Sequence, residues 1–229
     1  METLAQKKSR AGLIIAELNN MYPEVRCELE HANAYQLLVA TILSAQCTDK
    51  RVNMVTPTLF DRYPMVNDMA QADRNDVIGY IRSTGFFNNK STNILACCKD
   101  IVERFNGEVP GTLEELISLS GVGRKTANVV LNHIFHVPAI VVDTHVGRIS
   151  RHLGLTQEKN PAKVEFALMK ILPEEAWIPW NHQLIKHGRT VCIARRPQCG
   201  QCQLRTLCSE FIQQLTVDKG QLTIENQDL

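Results

Sequence analysis

The sequence has no long hydrophobic run, no large excess of charge of one sign, no low-complexity linker and no internal repeat. Its longest apolar stretch, residues 37–43, is interrupted by a threonine and is far shorter than the roughly 20 residues of a membrane-spanning helix. The opening residues METLAQKKSR lack the apolar segment of a secretory signal peptide. These absences predict a globular, cytoplasmic protein without a membrane partner.

Charge is distributed unevenly, although the net charge is only +1. Residues 1–119 carry 12 Lys and Arg against 15 Asp and Glu, whereas residues 120–229 carry 13 against 9. A locally basic surface attracts a polyanion by releasing counterions, even when the whole protein is close to neutral. The composition therefore allows nucleic-acid binding but argues against a purely electrostatic, histone-like binder.

Apolar residues recur at the 3.6-residue period of amphipathic helices. The clearest stripes are Ile94, Cys98, Ile101, Val102 and Phe105; Ala127, Val130, Leu131 and Ile134; and Val164, Ala167, Leu168, Ile171 and Leu172. Asp73 and Thr112 are predicted helix N-caps, and Thr112 forms a capping box with Glu115. Only residues 139–142 favour an extended strand, which is too short for a sheet. The predicted fold class is all-α, with roughly ten helices.

The eight cysteines fall into two groups. Cys27, Cys47, Cys97 and Cys98 are scattered, and we interpret them as small buried hydrophobic residues within helices. Cys192, Cys199, Cys202 and Cys208 instead follow the spacing C-x6-C-x2-C-x5-C in a glycine-containing segment. Four thiolates around one centre predict a metal site. Tetrahedral zinc and an iron–sulfur cluster both fit four thiolates, although structural zinc usually shows two C-x2-C pairs.

Gly121 and Gly123 flank Val122. These three residues lie between the helix capped by Thr112 and a second helix that begins near Arg124. Glycine tolerates positive φ and the close approach of another backbone, which permits a tight hairpin. The N–H groups at the start of the second helix are then suited to a phosphate oxygen. A plain corner between two helices is the alternative.

Several motifs together resemble the helix-hairpin-helix DNA glycosylases, and within them the endonuclease III family. They are LSGVGRKTANVVL (119–131), VDTHVGRISRHLGL (142–155), the four-cysteine loop, LLVATILSAQCTD (37–49) and GEVPGTLEEL (107–116). The resemblance covers most of residues 20–208. It implies a bifunctional DNA glycosylase and abasic-site lyase of base excision repair, which excises oxidised pyrimidines from double-stranded DNA.

The resemblance also implies two α-helical domains with a DNA cleft between them. Residues 22–135 would form a six-helix barrel that includes the helix-hairpin-helix. Residues 1–21 and 136–210 would form an iron–sulfur cluster domain, and residues 211–229 a C-terminal tail. The active site would lie at the domain junction, the cofactor would be a [4Fe-4S] cluster held by the four clustered cysteines, and the protein would act as a monomer.

Two residues match the catalytic positions of this family. Lys125 would be the nucleophile that displaces the base and holds the opened sugar as a Schiff base. Because an exposed lysine is almost fully protonated at neutral pH, the site would have to lower its pKa by desolvation or through a cation such as Arg124. Asp143 would stabilise positive charge on the sugar. Asp143 is equally typical of an ordinary helix N-cap, and the two roles are compatible.

The remaining expected contacts are with DNA. Gly121, Val122, Gly123 and Arg124 would bind the backbone, Gln46 and Phe86 would fill the space left by the extruded base, and His145, Arg195 and Arg196 would contact the strand. The family often carries leucine at the position of Phe86. Alternatively, Phe86 packs in the core, Gln46 is a surface amide, and His145 is a structural helix residue. The cysteine loop is also suited to a purely structural role.

Two other functions are open at this stage. A monofunctional relative that removes adenine from mispairs would share the hairpin, the aspartate and the cluster but lack the lysine. A non-catalytic helix-hairpin-helix module would bind DNA without any chemistry. The presence of Lys125 favours the bifunctional enzyme.

Overall fold

The computed structural model describes residues 2–213, and every regular element within that range is helical. The α-helices are α1 (Leu4–Met21), α2 (Ala34–Leu43), α3 (Asp49–Arg62), α4 (Val66–Ala70), α5 (Arg74–Ile81), α6 (Phe87–Arg104), α7 (Leu113–Ile117), α8 (Arg124–Ile134), α9 (Thr144–His152), α10 (Pro161–Met169) and α11 (Trp177–Thr190). Short 3-10 turns occupy Arg82–Thr84, Glu174–Ala176, Cys199–Gln201 and Arg205–Leu207. The all-α prediction is confirmed. Residues 214–229 of the predicted tail lie outside the described residues.

Both predicted N-caps are present. The Asp73 carboxylate accepts hydrogen bonds from the backbone N–H groups of Asn75 and Asp76 at 2.8 and 3.1 Å. Thr112 Oγ1 accepts from the N–H of Glu115 at 3.3 Å. The Glu115 carboxylate, however, accepts from the Thr112 hydroxyl at 2.7 Å instead of from its backbone. The cap is thus confirmed, while the second hydrogen bond differs from that of a capping box.

The extended segment 139–142 is not part of a strand, and no strand is present within residues 2–213. Two buried asparagines satisfy its backbone instead. Asn132 Nδ2 donates to the carbonyl of Ala139 at 2.9 Å, and the N–H of Val141 donates to Asn181 Oδ1 at 3.0 Å. Side-chain amides therefore form the hydrogen bonds that the backbone of a neighbouring strand would form in a sheet.

The chain forms two compact units. One comprises Met1–Arg26 with Ile140–Leu229, and the other is the intervening segment Cys27–Ala139. The predicted boundaries, at residues 21/22 and 135/136, fall a few residues before these. Their assignment as a cluster domain and a six-helix barrel stays a prediction.

The unit Cys27–Ala139 is built around α2 and α6. Helix α2 is almost entirely buried and packs against α3, α6 and α8, while α6 also packs against α4 and α5. The predicted stripe of Ile94, Cys98 and Ile101 is buried in this core, as is Cys97. Cys27 and Cys47 are only half-buried and lie in loops, so their prediction as buried helix residues was wrong.

The other unit has its core between α9, α11 and α1. Trp180 of α11 is fully buried, and α1 contributes Ala11, Ile14 and Leu18. Arg10 of α1 donates to the carbonyls of Leu153 and Leu207. The N-terminal helix is thus tied to residues far along the chain. Within the described residues, no helix is both long enough and apolar enough to cross a membrane.

Candidate functional site

The predicted hairpin joins α7 and α8, and its conformation requires glycine at one position. Gly121 has φ +74°, and a Cβ built there would lie 2.6 Å from Cβ of Asn93. Together, the positive φ and the close approach of Asn93 strongly disfavour any side chain at this position. Val122 is buried and anchors the turn, whereas Gly121 and Gly123 are exposed.

Helix α6 fixes the hairpin from one side. The N–H of Ser120 donates to the Asp100 carboxylate at 2.8 Å. Arg104 donates to the carbonyl and hydroxyl oxygens of Ser118 at 3.1 and 2.7 Å. At the start of α8, Gly123 is the N-cap and offers no side-chain acceptor to the first N–H groups. The start of α8 therefore has no side-chain cap, which suits it to bind an external acceptor.

Lys125 lies on the first turn of α8 and is exposed, next to a half-buried Arg124. The protein alone does not desolvate this amine. A bound substrate must therefore exclude water from Nζ, unless the positive charge of the neighbouring Arg124 replaces that effect. A cation at this position opposes the helix macrodipole, which carries partial positive charge at its N-terminus.

Asp143 is the N-cap of α9, and its Oδ1 accepts from the N–H of Val146 at 2.8 Å. It follows directly on the segment held by Asn132 and Asn181, so its position is set by buried contacts. The carboxylate is half-buried. The N-cap interpretation is correct, and it leaves the compatible catalytic role open.

His145 is half-buried on the first turn of α9 and contacts α11. A Cβ at Gly188 would lie 2.3 Å from His145 Nδ1, so glycine is needed there for the ring to fit. Its Nδ1 is buried without a hydrogen-bond partner. Burial lowers the pKa of His145, while the nearby Asp143 charge opposes that shift. The His145 ring therefore has a packing role against α11.

Gln46 and Phe86 share an uncommon backbone conformation. Both have positive φ, at 53° and 47°, where non-glycine residues are uncommon. Both side chains are exposed, Phe86 to 62%. The alternative of core packing applies instead to Phe87, which is half-buried and stacks with Arg82 at 5.6 Å from the ring centroid. Phe86 is thus an apolar ring held out in solvent.

The four clustered cysteines surround one cavity of about 190 Å³. Apolar side chains, including Ile149, Leu153 and Leu204, form part of its wall. Within residues 2–213, no three His, Cys, Asp or Glu side chains converge on a point as ligands of a single metal ion do. A donor set of four thiols spread around a cavity suits a polynuclear cluster.

Hydrogen-bonding groups surround these sulfurs. His187 Nε2 lies 3.7 Å from Cys202 Sγ, and its Nδ1 lies 3.1 Å from the Tyr22 hydroxyl. Arg148 donates to the carbonyl of Cys192 at 2.6 Å. Burial lowers the pKa of His187 to about 4 and raises the pKa of the Cys192, Cys202 and Cys208 thiols.

The cysteine loop carries two classes of cation. Arg195 and Arg196 are exposed. Arg205 donates to the carbonyl of Gly200 at 2.9 Å, so it stabilises the loop itself. Arg195 and Arg196 are therefore accessible to solvent at one end of the loop, whereas Arg205 stabilises the loop conformation.

No motif in the sequence pointed to Tyr22, Lys90, Arg148 or His187. Lys90 is buried on α6, four residues before Ile94, so the apolar stripe of α6 extends back to a charged residue. A charged residue on an otherwise apolar stripe was the signal in the sequence that Lys90 is buried. Tyr22 and His187 are 165 residues apart, and nothing local indicates that they meet.

Comparisons with known proteins agree on one family. Residues 39–174 match the profile described as "HhH-GPD superfamily base excision DNA repair protein". Endonuclease III of Synechocystis sp. is 53% identical over 91% of this chain and 95% of its own length. Endonuclease III of Bacillus subtilis is 46% identical over 85% and 89%, respectively. A solved trapped covalent intermediate of endonuclease III with DNA superposes with a TM-score of 0.86 at 44% identity, covering 91% of this chain and 98% of that one.

Proposed function

Because the chain belongs to the endonuclease III family of the HhH-GPD superfamily, we propose that Lys125 and Asp143 are the residues with which it processes damaged DNA. The protein is a base excision repair DNA glycosylase and abasic-site lyase. One observation carries the residue assignment. Lys125 presents an exposed amine on the first turn of α8, directly after a rigid hairpin whose N–H groups have no side-chain cap.

Lys125 acts as the nucleophile in its neutral form. Nζ attacks C1′ of the damaged nucleotide, the C1′–N bond breaks, and the departing base takes up a proton. The sugar ring then opens, and C1′ and Nζ form a protonated imine. Loss of a proton from C2′ expels the 3′ phosphate and cuts the strand, after which water hydrolyses the imine and frees the lysine. The trapped covalent intermediate known for a relative supports this route.

The hairpin would hold the DNA backbone next to this amine. The N–H groups at the start of α8 are oriented as donors to a phosphate oxygen, and the helix macrodipole favours an anion there. Gly121 and Gly123 allow the backbone to approach closely, Val122 anchors the turn, and Arg124 adds positive charge. A bound DNA strand would also exclude water from Lys125, which the protein alone leaves exposed.

Asp143 would stabilise the positive charge that develops on the sugar as the base departs. Its Oδ1 is already fixed by the N–H of Val146 at 2.8 Å, so the carboxylate needs little reorganisation during the reaction. The N-cap bond thereby serves catalysis as well as folding. A DNA contact of His145 stays a prediction, because the ring also has a packing role against α11.

Gln46 and Phe86 would occupy the space that an extruded base leaves in the duplex. Removal of a base from the stack costs a few kcal/mol, and an inserted side chain recovers part of that. A phenyl ring can stack on both neighbouring base pairs. Phe86 is an apolar ring exposed to 62% in an uncommon backbone conformation, which supports a role outside the protein core.

The four clustered cysteines would hold a [4Fe-4S] cluster. Their thiols line one cavity of about 190 Å³ with apolar walls, and Arg148 donates to the carbonyl of Cys192 at 2.6 Å. When bound, the cluster supplies four covalent links that fix the loop. Arg195 and Arg196 would then present their charges to DNA phosphates from a rigid segment.

The substrate would be double-stranded DNA with oxidised pyrimidines or abasic sites, bound by one copy of the chain. The enzyme would act in the cytoplasm, and on nucleoid DNA if its source is a bacterium. No specific observation favours the adenine-removing or the non-catalytic alternative, and Lys125 argues against both.

Borohydride trapping tests the assignment. The protein, loaded with iron, is incubated with a duplex that contains one thymine glycol, and sodium borohydride reduces any imine to a stable amine. We expect a covalent protein–DNA adduct that is lost in Lys125→Ala and retained in Lys99→Ala, which removes an exposed lysine on α6. An adduct of undiminished yield in Lys125→Ala would refute the assignment.

A further inference from the structure

Lys90 is a buried lysine that the proposed chemistry does not use. It is 4% exposed, and within the described residues its ammonium forms no ion pair. Burial lowers its pKa. A buried charge without a counter-ion costs free energy that an apolar residue of similar length would avoid. The interactions of Lys90 therefore require an explanation.

Lys90 hydrogen-bonds to the backbone just before Phe86 and at Phe86 itself. Its Nζ donates to the carbonyl of Thr84 at 2.9 Å, and its N–H donates to the carbonyl of Phe86 at 3.0 Å. Thr84 itself is buried and donates its hydroxyl to the carbonyl of Ile81 at 2.8 Å. The loop is thus fixed immediately before and at the ring.

The backbone between these two hydrogen bonds is the uncommon part. Gly85 and Phe86 both have positive φ, at 70° and 47°. Glycine adopts positive φ freely, but the left-handed conformation of Phe86 persists only when surrounding contacts hold it. The hydrogen bond from an ammonium is charge-assisted and roughly twice as strong as a neutral one, so Lys90 is well suited to hold it.

We propose that Lys90 is a positioning residue, whose buried ammonium holds the carbonyl of Thr84 and thereby fixes the Phe86 ring in the orientation needed for insertion into DNA. This proposal rests on the plug role proposed above for Phe86. A ring fixed before binding loses less conformational entropy on insertion than one on a mobile loop. Lys90 would thus assist base extrusion without touching DNA.

The test compares two substrates under single-turnover conditions. The first is a duplex with one thymine glycol and a neighbouring 2-aminopurine, whose fluorescence reports unstacking. The second is a single-stranded oligonucleotide with a preformed abasic site, which has no stack to fill and requires only Lys125. Lys90→Met removes the ammonium but retains side-chain length, and Lys99→Met on the exposed face of α6 is the matched control.

We expect Lys90→Met to lose about 10- to 100-fold in base excision from the duplex and to lose the rapid fluorescence change. Borohydride trapping on the single strand should stay within about two-fold of the unmodified protein, since that reaction requires no plug. Lys99→Met should match the unmodified protein on both substrates. Equal losses on both substrates would indicate a general structural role, and undiminished excision would show that the ammonium is dispensable. Either result overturns the proposal.

Phe86→Ala separates this proposal from the one on which it rests. If Lys90 acts through the ring, the double variant Lys90→Met/Phe86→Ala should excise no more slowly than Phe86→Ala alone. Normal excision by Phe86→Ala would refute both the plug role and the positioning role. A defect in Phe86→Ala together with normal excision by Lys90→Met would refute the positioning role alone.

Discussion

Gly121 and Gly123 frame the same turn, but the structure constrains them differently. Gly121 combines φ +74° with a close approach of Asn93, whereas Gly123 has φ −93° and open space around its Cα. Steric exclusion therefore acts at one glycine only. At the other, the absence of a side chain leaves helix N–H groups accessible.

Substitution of these two glycines should separate the two effects. We expect Gly121→Ala to lower the free energy of unfolding by about 1–3 kcal/mol, because alanine is strained at positive φ and would meet Asn93. Gly123→Ala should lower it by about 1 kcal/mol or less, the difference between glycine and alanine at an N-cap. Denaturant titrations measure both values. Equal effects would contradict the assigned strain.

Asp143→Asn should separate folding from catalysis at one position. Asparagine caps a helix as well as aspartate does, so its side-chain oxygen can still accept from Val146. We expect little change in unfolding free energy but a fall of about 10²- to 10³-fold in the excision rate, since the negative charge is lost. Single-turnover kinetics and thermal denaturation test this together. An undiminished excision rate would leave Asp143 with its N-cap role alone.

At the scale of elements, the cysteine loop combines a cluster site with exposed arginines. The double variant Arg195→Ala/Arg196→Ala should weaken DNA binding equally for all sequences. The slope of log affinity against log salt should become shallower by about 0.9 for each lost phosphate contact. Lys8→Ala, on the exposed face of α1, serves as control. If the double variant keeps the original slope, these arginines do not contact phosphates.

Loss of a cluster ligand is expected to affect the loop more than the rest of the fold. Cys199→Ala should purify with little or no iron and without visible absorbance. Cys97→Ala, which removes a buried thiol in the other unit, should retain both its iron and its visible absorbance. Metal analysis also distinguishes iron from zinc. Stoichiometric zinc in the unmodified protein, without iron, would contradict the cluster assignment.

Local signals made most elements predictable, and distant contacts account for what was missed. The stripe through Ile94 and Ile101 and the caps at Asp73 and Thr112 follow from neighbouring residues, so the sequence sufficed. The pairing of Tyr22 with His187 depends on folding of the whole unit. The position of Lys90 on the apolar stripe of α6 signalled its burial, but its partner is the backbone carbonyl of Thr84, which no side-chain pattern reveals.

At the scale of the whole molecule, two distant segments complete one unit. Arg10 of α1 donates to the carbonyls of Leu153 and Leu207, and Ile14 and Leu18 are buried in the same core. The stability of the cysteine loop is therefore coupled to the first helix of the chain.

Arg10→Met tests this coupling. We expect a loss of about 1–3 kcal/mol in unfolding free energy, because the Leu207 carbonyl loses the Arg10 donor and the Leu153 carbonyl keeps only the Ser209 hydroxyl, together with faster release of iron. Hydrogen exchange should speed up in α9 and α11 but not in α2 or α6, which belong to the other unit. Lys8→Met is the exposed control on the same helix. Uniform acceleration throughout the chain would contradict separate units.

Because this unit consists of two segments that are distant in sequence, the ribosome synthesises its parts at different times. Helix α1 leaves the ribosome before its packing partners in residues 140–213, because the continuous segment Cys27–Ala139 is synthesised in between. Translation of the 74 residues from 140 to 213 takes about 4–15 s at typical rates. During that interval the apolar face of α1 has no native partner. The nascent chain is consequently most vulnerable to aggregation, and to chaperone capture, before its last cysteine emerges.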